Sequence, residues 1–226
     1  MDENLSEKEQ LEELREWWRE YGWYLVGGVA LGIAILSGIR QYDTYQQNQA
    51  EAAAALYQEL RLAISDDADG DALRLLAQLR SEYSSSPYTD QAGLAIVIMH
   101  LANESTRGAM DALRYTLDNT SDQHLALIVR LRLSRLLVSG GRHDEALALL
   151  DGIDPGSFSA RFSEIRGDIY YAQGDLESAG AAYRQALNGE QSALVDRGLV
   201  QMKLDDLPAA GAPFVQQEVL TEDDSG

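Results

Sequence analysis

The sequence contains no cysteine, only four prolines and only three histidines among its 226 residues. The absence of cysteine excludes disulfides, thiol catalysis and cysteine-ligated metal sites, and it is compatible with an oxidising compartment. The histidines, His100, His124 and His143, form no pair at the spacing of metal ligands on a helix. The sequence also lacks a Gly-rich phosphate loop and a G-x-S-x-G nucleophile motif. We therefore expect no metal, no other cofactor and no enzymatic activity.

Basic residues are also scarce, because 18 Lys and Arg stand against 37 Asp and Glu, for a net charge of −19. Residues 41–226 account for most of it, with 14 basic and 29 acidic residues, a difference of −15. Such a surface repels nucleic acid and anionic lipid headgroups, so we expect protein partners and no nucleic acid.

The acidic run DDADGD (66–71) resembles the start of a calcium loop. Leu76 stands where that loop needs a bidentate Glu, so we interpret the run as a solvated turn.

One long stretch has no charge at all: Tyr21 to Ile39, an uncharged run of 19 residues. As a helix it would be about 28 Å long, close to the ~30 Å hydrocarbon core of a bilayer. A signal peptide fits poorly, because the leader (1–20) holds eight acidic residues against three basic ones and no small-x-small cleavage site follows the run. A buried core helix remains an alternative, but aromatic residues flank the run on both sides, as at membrane interfaces. We predict one transmembrane helix, 21–39.

The basic residues near this run predict its orientation. The leader carries Lys8, Arg15 and Arg19, whereas the other flank has Arg40 and then no basic residue until Arg61. Basic flanks stay on the cytoplasmic side. We therefore expect a single-pass protein of a bacterial inner membrane, with residues 1–20 in the cytoplasm and the C-terminal domain in the periplasm.

Small residues recur four apart within the predicted span, at Gly28 and Gly32. This spacing lets two membrane helices approach closely, although glycine is common in membrane spans in any case. The two glycines are candidates for helix packing.

Residues 40–206 predict an all-α domain. Ala, Leu, Arg, Glu and Gln dominate, and turn-forming clusters divide the region into about nine short helices. The stretch GDIYYAQGDLESAGAAYRQAL (167–187) has Gly, Tyr, a Gly-Asp turn and Ala at the offsets of a tetratricopeptide repeat (TPR), a helix hairpin of about 34 residues. Ala112, Ala146 and Ala179 follow one another at spacings of 34 and 33. We predict a TPR-like α-solenoid with a looser first unit at 50–83 and a disordered tail at 207–226.

The stretch AGLAIVIMHL (92–101) is apolar on nearly every side, whereas a helix with one buried face should be polar on the other. Neighbouring hairpins could cover it on both sides. Alternatively, it lines a groove for unfolded or helical polypeptide. The repeat register turns one set of side chains toward that concave face. These candidate partner-binding residues are Leu94, Val97, Leu101, Arg135, Glu164, Asp168 and Tyr171.

Two further stretches resemble a known family: LDNTSDQHLALIVRLRLSRL (117–136) and LVQMKLDDL (199–207). Behind an acidic aromatic leader and one span, they are similar to the ancillary subunits of the bacterial SecYEG translocon, the YfgM family. The resemblance implies an inner-membrane protein with a periplasmic repeat domain that associates with SecYEG and the chaperone PpiD and passes translocating client polypeptides to chaperones. It also implies a link to a stress regulator in some relatives. A scaffold of another cell-envelope complex, or a periplasmic enzyme with an unrecognised site, remains an alternative.

Overall fold

The computed structural model describes residues 7–189 and 192–208. Within these ranges all regular elements are helical, which confirms the all-α prediction. The chain divides into two compact units, Met1–Ala55 and Leu56–Gly226. The α-helices are α1 (Glu7–Ser65), α2 (Asp69–Glu82), α3 (Pro87–Ala102), α4 (Thr106–Asn119), α5 (Gln123–Ser139), α6 (His143–Leu150), α7 (Ser159–Gln173), α8 (Leu176–Asn188) and α9 (Arg197–Asp205).

Helix α1 begins at Glu7 and continues without interruption through the predicted span. In the described part of the chain it is the one helix long and apolar enough to cross a membrane, and only 6% of its most apolar stretch is buried. A core helix of a water-soluble domain would bury most of such a stretch. The exposure therefore favours a membrane span over the alternative of a buried helix.

The turns of the second unit fall where turn-forming residues cluster in the sequence. Ser86 and Pro87 start α3, where the Ser86 hydroxyl accepts a hydrogen bond from the Tyr88 amide at 3.3 Å and proline suits the first helical position. Gly174 ends α7 with a φ of 81°, a left-handed conformation that glycine adopts without strain.

The first helix of the second unit differs from the prediction. The first of the predicted short helices is the C-terminal part of α1, because no Pro or Gly separates it from the span.

The helices that follow pack as antiparallel hairpins, α3 with α4, α5 with α6 and α7 with α8, while α9 packs on α8. Small residues are buried within the hairpins. Ala146 and Ala179 are fully buried, and Ala112 is 7% exposed. Gly167 on α7 lies so close to the Tyr183 ring on α8 that a Cβ there would be 2.4 Å from it. These close crossings are the geometry that the repeated alanines predict.

The C-terminal end of the domain is closed by α9 and the segment before it. Val195 and Val200 join Ala179, Tyr183 and other residues in one buried cluster. Leu207 packs against this cluster. It therefore belongs to the domain and not to the predicted tail (207–226), whose residues 209–226 lie outside the described residues.

Candidate protein-binding surface

The first helices of the three hairpins, α3, α5 and α7, carry the predicted partner-binding residues. The structure separates these residues into buried and exposed positions. Val97, Leu131 and Glu164 follow one another at spacings of 34 and 33, and they are only 4%, 6% and 3% exposed. Residues at this offset are enclosed by the helices around them. Val97 and Glu164 are therefore corrected from surface positions to interior ones.

Helix α3 does present an apolar surface, but through different side chains. Leu101 is 43% exposed and Ile98 is 65% exposed, and Leu94 is half-buried. Because residues 94, 98 and 101 are separated by one helical turn each, they form a single stripe. We call Leu94, Ile98 and Leu101 the α3 stripe. The described hairpins thus cover α3 only in part. Ile98 was not among the residues predicted from the sequence, although its spacing from Leu94 and Leu101 places it on the same stripe.

A groove of about 330 Å³ opens beside the N-terminal half of the α3 stripe, and we call it the α3–α5 groove. Its apolar lining comes from Leu94 on α3 and from Leu125 and Ile128 on α5. Leu125 and Ile128 were not among the residues predicted from the sequence. The complete lining is Ser85, Pro87, Asp90, Gln91, Leu94, Ser121, Asp122, His124, Leu125 and Ile128.

Two carboxylates stand in this lining, each held by the fold. Asp90 Oδ2 accepts a hydrogen bond from the Thr120 hydroxyl at 2.8 Å. Asp122 is the N-cap of α5, and its Oδ1 accepts hydrogen bonds from the amides of His124 at 2.9 Å and Leu125 at 3.2 Å. Burial raises the pKa of Asp90, the Thr120 hydrogen bond opposes that rise, and the nearby charge of Asp122 adds to it. The groove therefore combines an apolar lining with negative charge.

Two of the candidates on α5 and α7 lie at the surface. Arg135 on α5 is exposed, as the repeat register predicts. Tyr171 on α7 is 40% exposed. Both lie at the surface and remain candidates for partner contact.

The two acidic candidates on α7 are engaged inside the domain. Lys203 on α9 places its ammonium 3.2 Å from Glu164 Oε1 and 2.8 and 2.9 Å from the two carboxylate oxygens of Asp168. We call Glu164, Asp168 and Lys203 the Lys203 clasp. Glu164 Oε2 also accepts a hydrogen bond from Arg161 at 3.2 Å. Glu164 and Asp168 thus help hold α9 against α7, and their role in receiving a partner stays a prediction.

Asp168 has a second neighbour in the hairpin. The hydroxyl of Tyr183 donates a hydrogen bond to Asp168 Oδ1 at 2.8 Å. Burial, followed by the charge of Asp168 and this hydrogen bond, raises the pKa of Tyr183 far above its ordinary value. The phenol therefore stays protonated and acts as a permanent donor to the clasp.

The two glycines of the predicted span have open surroundings. A Cβ built at Gly28 or Gly32 would meet nothing within 4 Å. Their role in packing against another membrane helix stays a prediction. Among the described residues no group of three or more His, Asp or Glu side chains is arranged to hold a metal ion.

Comparison with known proteins places these features in context. The model of a tetratricopeptide repeat-like domain family matches residues 15–209. A protein of Neisseria gonorrhoeae is 31% identical over 212 residues, which cover 92% of this chain and 100% of the relative. A protein of Haemophilus influenzae is 27% identical over 208 residues, 90% of this chain and 98% of the relative. A protein of Escherichia coli is 27% identical over 202 residues, 89% of this chain and 97% of the relative. Each of the three is named an ancillary SecYEG translocon subunit, and no solved structure matches.

Proposed function

The chain belongs to the family of ancillary SecYEG translocon subunits with a TPR-like domain, and we propose that it acts at the Sec translocon as a membrane-anchored, protein-binding adaptor. In this role it receives newly translocated polypeptides and helps pass them to periplasmic chaperones. Its partners are SecYEG, the client polypeptides and, as the family resemblance implies, the chaperone PpiD.

The proposed placement follows from α1 and its flanks. Residues 1–20 lie in the cytoplasm, residues 21–39 cross the inner membrane, and residues 40–207 lie in the periplasm. Support comes from the exposed apolar surface of α1 and from Arg15 and Arg19 on the proposed cytoplasmic side, since basic residues near a span are retained there. This placement puts the TPR-like domain on the side where translocated chains emerge.

The α3 stripe is the observation that carries the binding role. Leu94, Ile98 and Leu101 present apolar side chains on a domain whose class receives extended or helical segments on its concave surface. Apolar attraction is non-directional and grows with the area removed from water, so one surface can accept many sequences. This suits an adaptor that meets varied clients.

Photo-crosslinking in cells tests this role. A photo-reactive residue at Ile98, Leu101 or Arg135 should capture translocating chains or a chaperone. The matched control is Arg184, which is exposed on α8, a second helix of a hairpin. Equal yields from both sets, or capture only from residues 21–39, would mean that the membrane helix recognises partners and that the repeat domain is a spacer.

Co-purification tests the assignment to the translocon against the alternative of a scaffold for another envelope complex. The full chain, extracted in a mild detergent, should bring SecY with it. Recovery of a different envelope complex without SecY would favour the scaffold.

A further inference from the structure

We propose that the α3–α5 groove selects polypeptide segments in which an apolar side chain stands next to a basic one. This inference rests on the proposed function, because it assumes that the repeat domain binds polypeptides. It adds the chemistry by which one part of the domain discriminates among them.

Part of the groove lining is apolar. Leu94, Leu125 and Ile128 line it, and all three remain only partly buried after the hairpins have packed. Its volume of about 330 Å³ lies at the small end of the range of about 300–1,000 Å³ for ligand pockets. A site of this size suits one or two side chains of a passing segment and is too small for a folded partner.

The negatively charged part of the lining consists of Asp90 and Asp122. Thr120 occupies Asp90 Oδ2, and the α5 amides occupy Asp122 Oδ1. Within the described part of the chain, neither Asp90 Oδ1 nor Asp122 Oδ2 accepts a hydrogen bond, and no Lys or Arg is among the residues that line the groove. His124 is the lining residue that can carry a positive charge, and its Nδ1 lies 3.9 Å from Asp122 Oδ1, which is not one of these two oxygens. Two carboxylate oxygens thus remain to accept hydrogen bonds from a cation.

Repulsion between the two carboxylates also favours a basic ligand. Asp90 and Asp122 line the same groove, and the charge of Asp122 adds to the rise that burial produces in the pKa of Asp90, as expected for two carboxylates that repel each other. An ammonium or guanidinium group beside them would offset this repulsion, whereas an acidic residue would increase it. A second copy of this chain is a poor occupant for the same reason, since each copy carries a net charge of −19.

Peptide binding to the full chain can test the selection directly. The protein is placed in nanodiscs of phosphatidylcholine, a zwitterionic lipid that limits adsorption of basic peptides. Three fluorescent peptides of equal length are compared by anisotropy at neutral pH. One combines Leu with Lys, one combines Leu with Glu, and one combines Ser with Lys.

Two paired variants separate local from overall charge. Asp90→Asn with Asp122→Asn removes both groove charges but keeps an acceptor for Thr120 and an N-cap for α5, because Asn caps helices about as well as Asp. Asp118→Asn with Asp206→Asn removes the same total charge from exposed positions outside the groove lining. Leu94→Ser tests the apolar lining.

We expect the Leu/Lys peptide to bind more tightly than the other two. Asp90→Asn with Asp122→Asn should weaken its binding about fivefold, the scale expected for two solvent-accessible ion pairs, whereas the control pair should leave it unchanged. Leu94→Ser should weaken the Leu/Lys peptide more than the Ser/Lys peptide. Equal binding of the Leu/Lys and Leu/Glu peptides by the wild-type chain would overturn the inference, and so would equal weakening by the groove pair and the control pair.

A failure of the groove inference can be distinguished from a failure of the proposed function. If the charge selection is absent while SecY still co-purifies and Ile98 still captures clients, only the groove inference is rejected. If SecY does not co-purify with the wild-type chain, the translocon assignment fails whatever the peptides show.

Discussion

The ammonium group of Lys203 lies 3.2 Å from the carboxylate of Glu164, whose side chain is only 4% exposed. In the two preceding hairpins the same offset holds Val97 and Leu131, both buried. In the α7–α8 hairpin, on which α9 packs, a charged residue thus stands where the two earlier hairpins have an apolar one. The replacement costs desolvation of the carboxylate, and the hydrogen bonds from Lys203 and Arg161 offset that cost.

The Lys203 clasp yields a stability prediction. Lys203→Met should lower the free energy of unfolding by about 1–3 kcal/mol, because Glu164 and Asp168 lose their shared cation while Arg161 still contacts Glu164. Denaturant unfolding of the full chain in detergent, followed by circular dichroism, measures the change.

A double variant shows whether the loss comes from the stranded carboxylate. Glu164→Leu combined with Lys203→Met restores the apolar character of the Leu131 position and should recover much of the lost stability. If the double variant is less stable than Lys203→Met alone, the charge at 164 would have a role other than pairing.

Gly167 provides a steric prediction. Gly167→Ala places a methyl group 2.4 Å from the Tyr183 ring, so it should cost about 1–3 kcal/mol by overpacking the α7–α8 hairpin. Gly70→Ala is the control, because a Cβ there meets nothing within 4 Å and the residue lies in α2. That control should be neutral or slightly stabilising, since alanine favours helix more than glycine does. A neutral Gly167→Ala would indicate that α7 and α8 are farther apart than the approach of Gly167 to the Tyr183 ring requires.

The repeated alanines make a parallel prediction for two hairpins. Ala146→Leu or Ala179→Leu should each lower the free energy of unfolding by roughly 1–3 kcal/mol, because both sites are fully buried. Ala181→Leu, at an exposed position on the same helix as Ala179, is the matched control and should have little effect. Unchanged melting of both buried variants would show that the repeat register is displaced.

Asp175 predicts a pH dependence. Hydrogen bonds from the side chain and the amide of Ser178 at the start of α8 hold the pKa of Asp175 below its ordinary value. A carboxylate with a depressed folded-state pKa contributes stability that is present above its unfolded-state pKa, ~3.9 for Asp, and is lost as the pH falls through the folded-state value. Asp175→Ala removes the cap, so it should melt at a lower temperature than wild type near neutral pH, and the difference should shrink below about pH 4 as the wild-type carboxylate is protonated. A difference in melting temperature that stays constant with pH would contradict this account.

The membrane topology can be checked with reporter fusions. A reporter that is active only in the periplasm should be active when fused after Gln49 and inactive when fused after Ser6, because the basic residues favour retention of the leader in the cytoplasm. The reverse pattern would place the repeat domain in the cytoplasm and would remove the proposed site of action.

Much of the fold was predictable because its signals are local. Turn residues mark the ends of α2 through α9, and the spacing of Ala112, Ala146 and Ala179 marks the hairpins. The continuity of α1 into the second unit was also readable from the lack of Pro and Gly after the span, but it was not predicted. The local sequence thus predicts the secondary structure and the positions of the repeats.

The surface was less predictable because it depends on contacts between distant segments. In a helix that is apolar all round, the sequence alone does not tell which stripe the neighbours cover. Val97 therefore proved to be buried and Ile98 exposed. The engagement of Glu164 and Asp168 required a partner 39 and 35 residues away, on α9. Leu125 and Ile128 became groove residues only through the placement of α5 beside α3.

The Lys203 clasp also bears on how the partners of this protein can be identified. The chain contains two lysines, Lys8 in the leader and Lys203. Amine-acylating cross-linkers therefore have a single side-chain target in the repeat domain, and it is the one that pairs with Glu164 and Asp168. Acylation would neutralise that ammonium and detach it from both carboxylates. Lysine-directed mapping would thus disturb the C-terminal end of the domain while remaining blind to its α3 stripe.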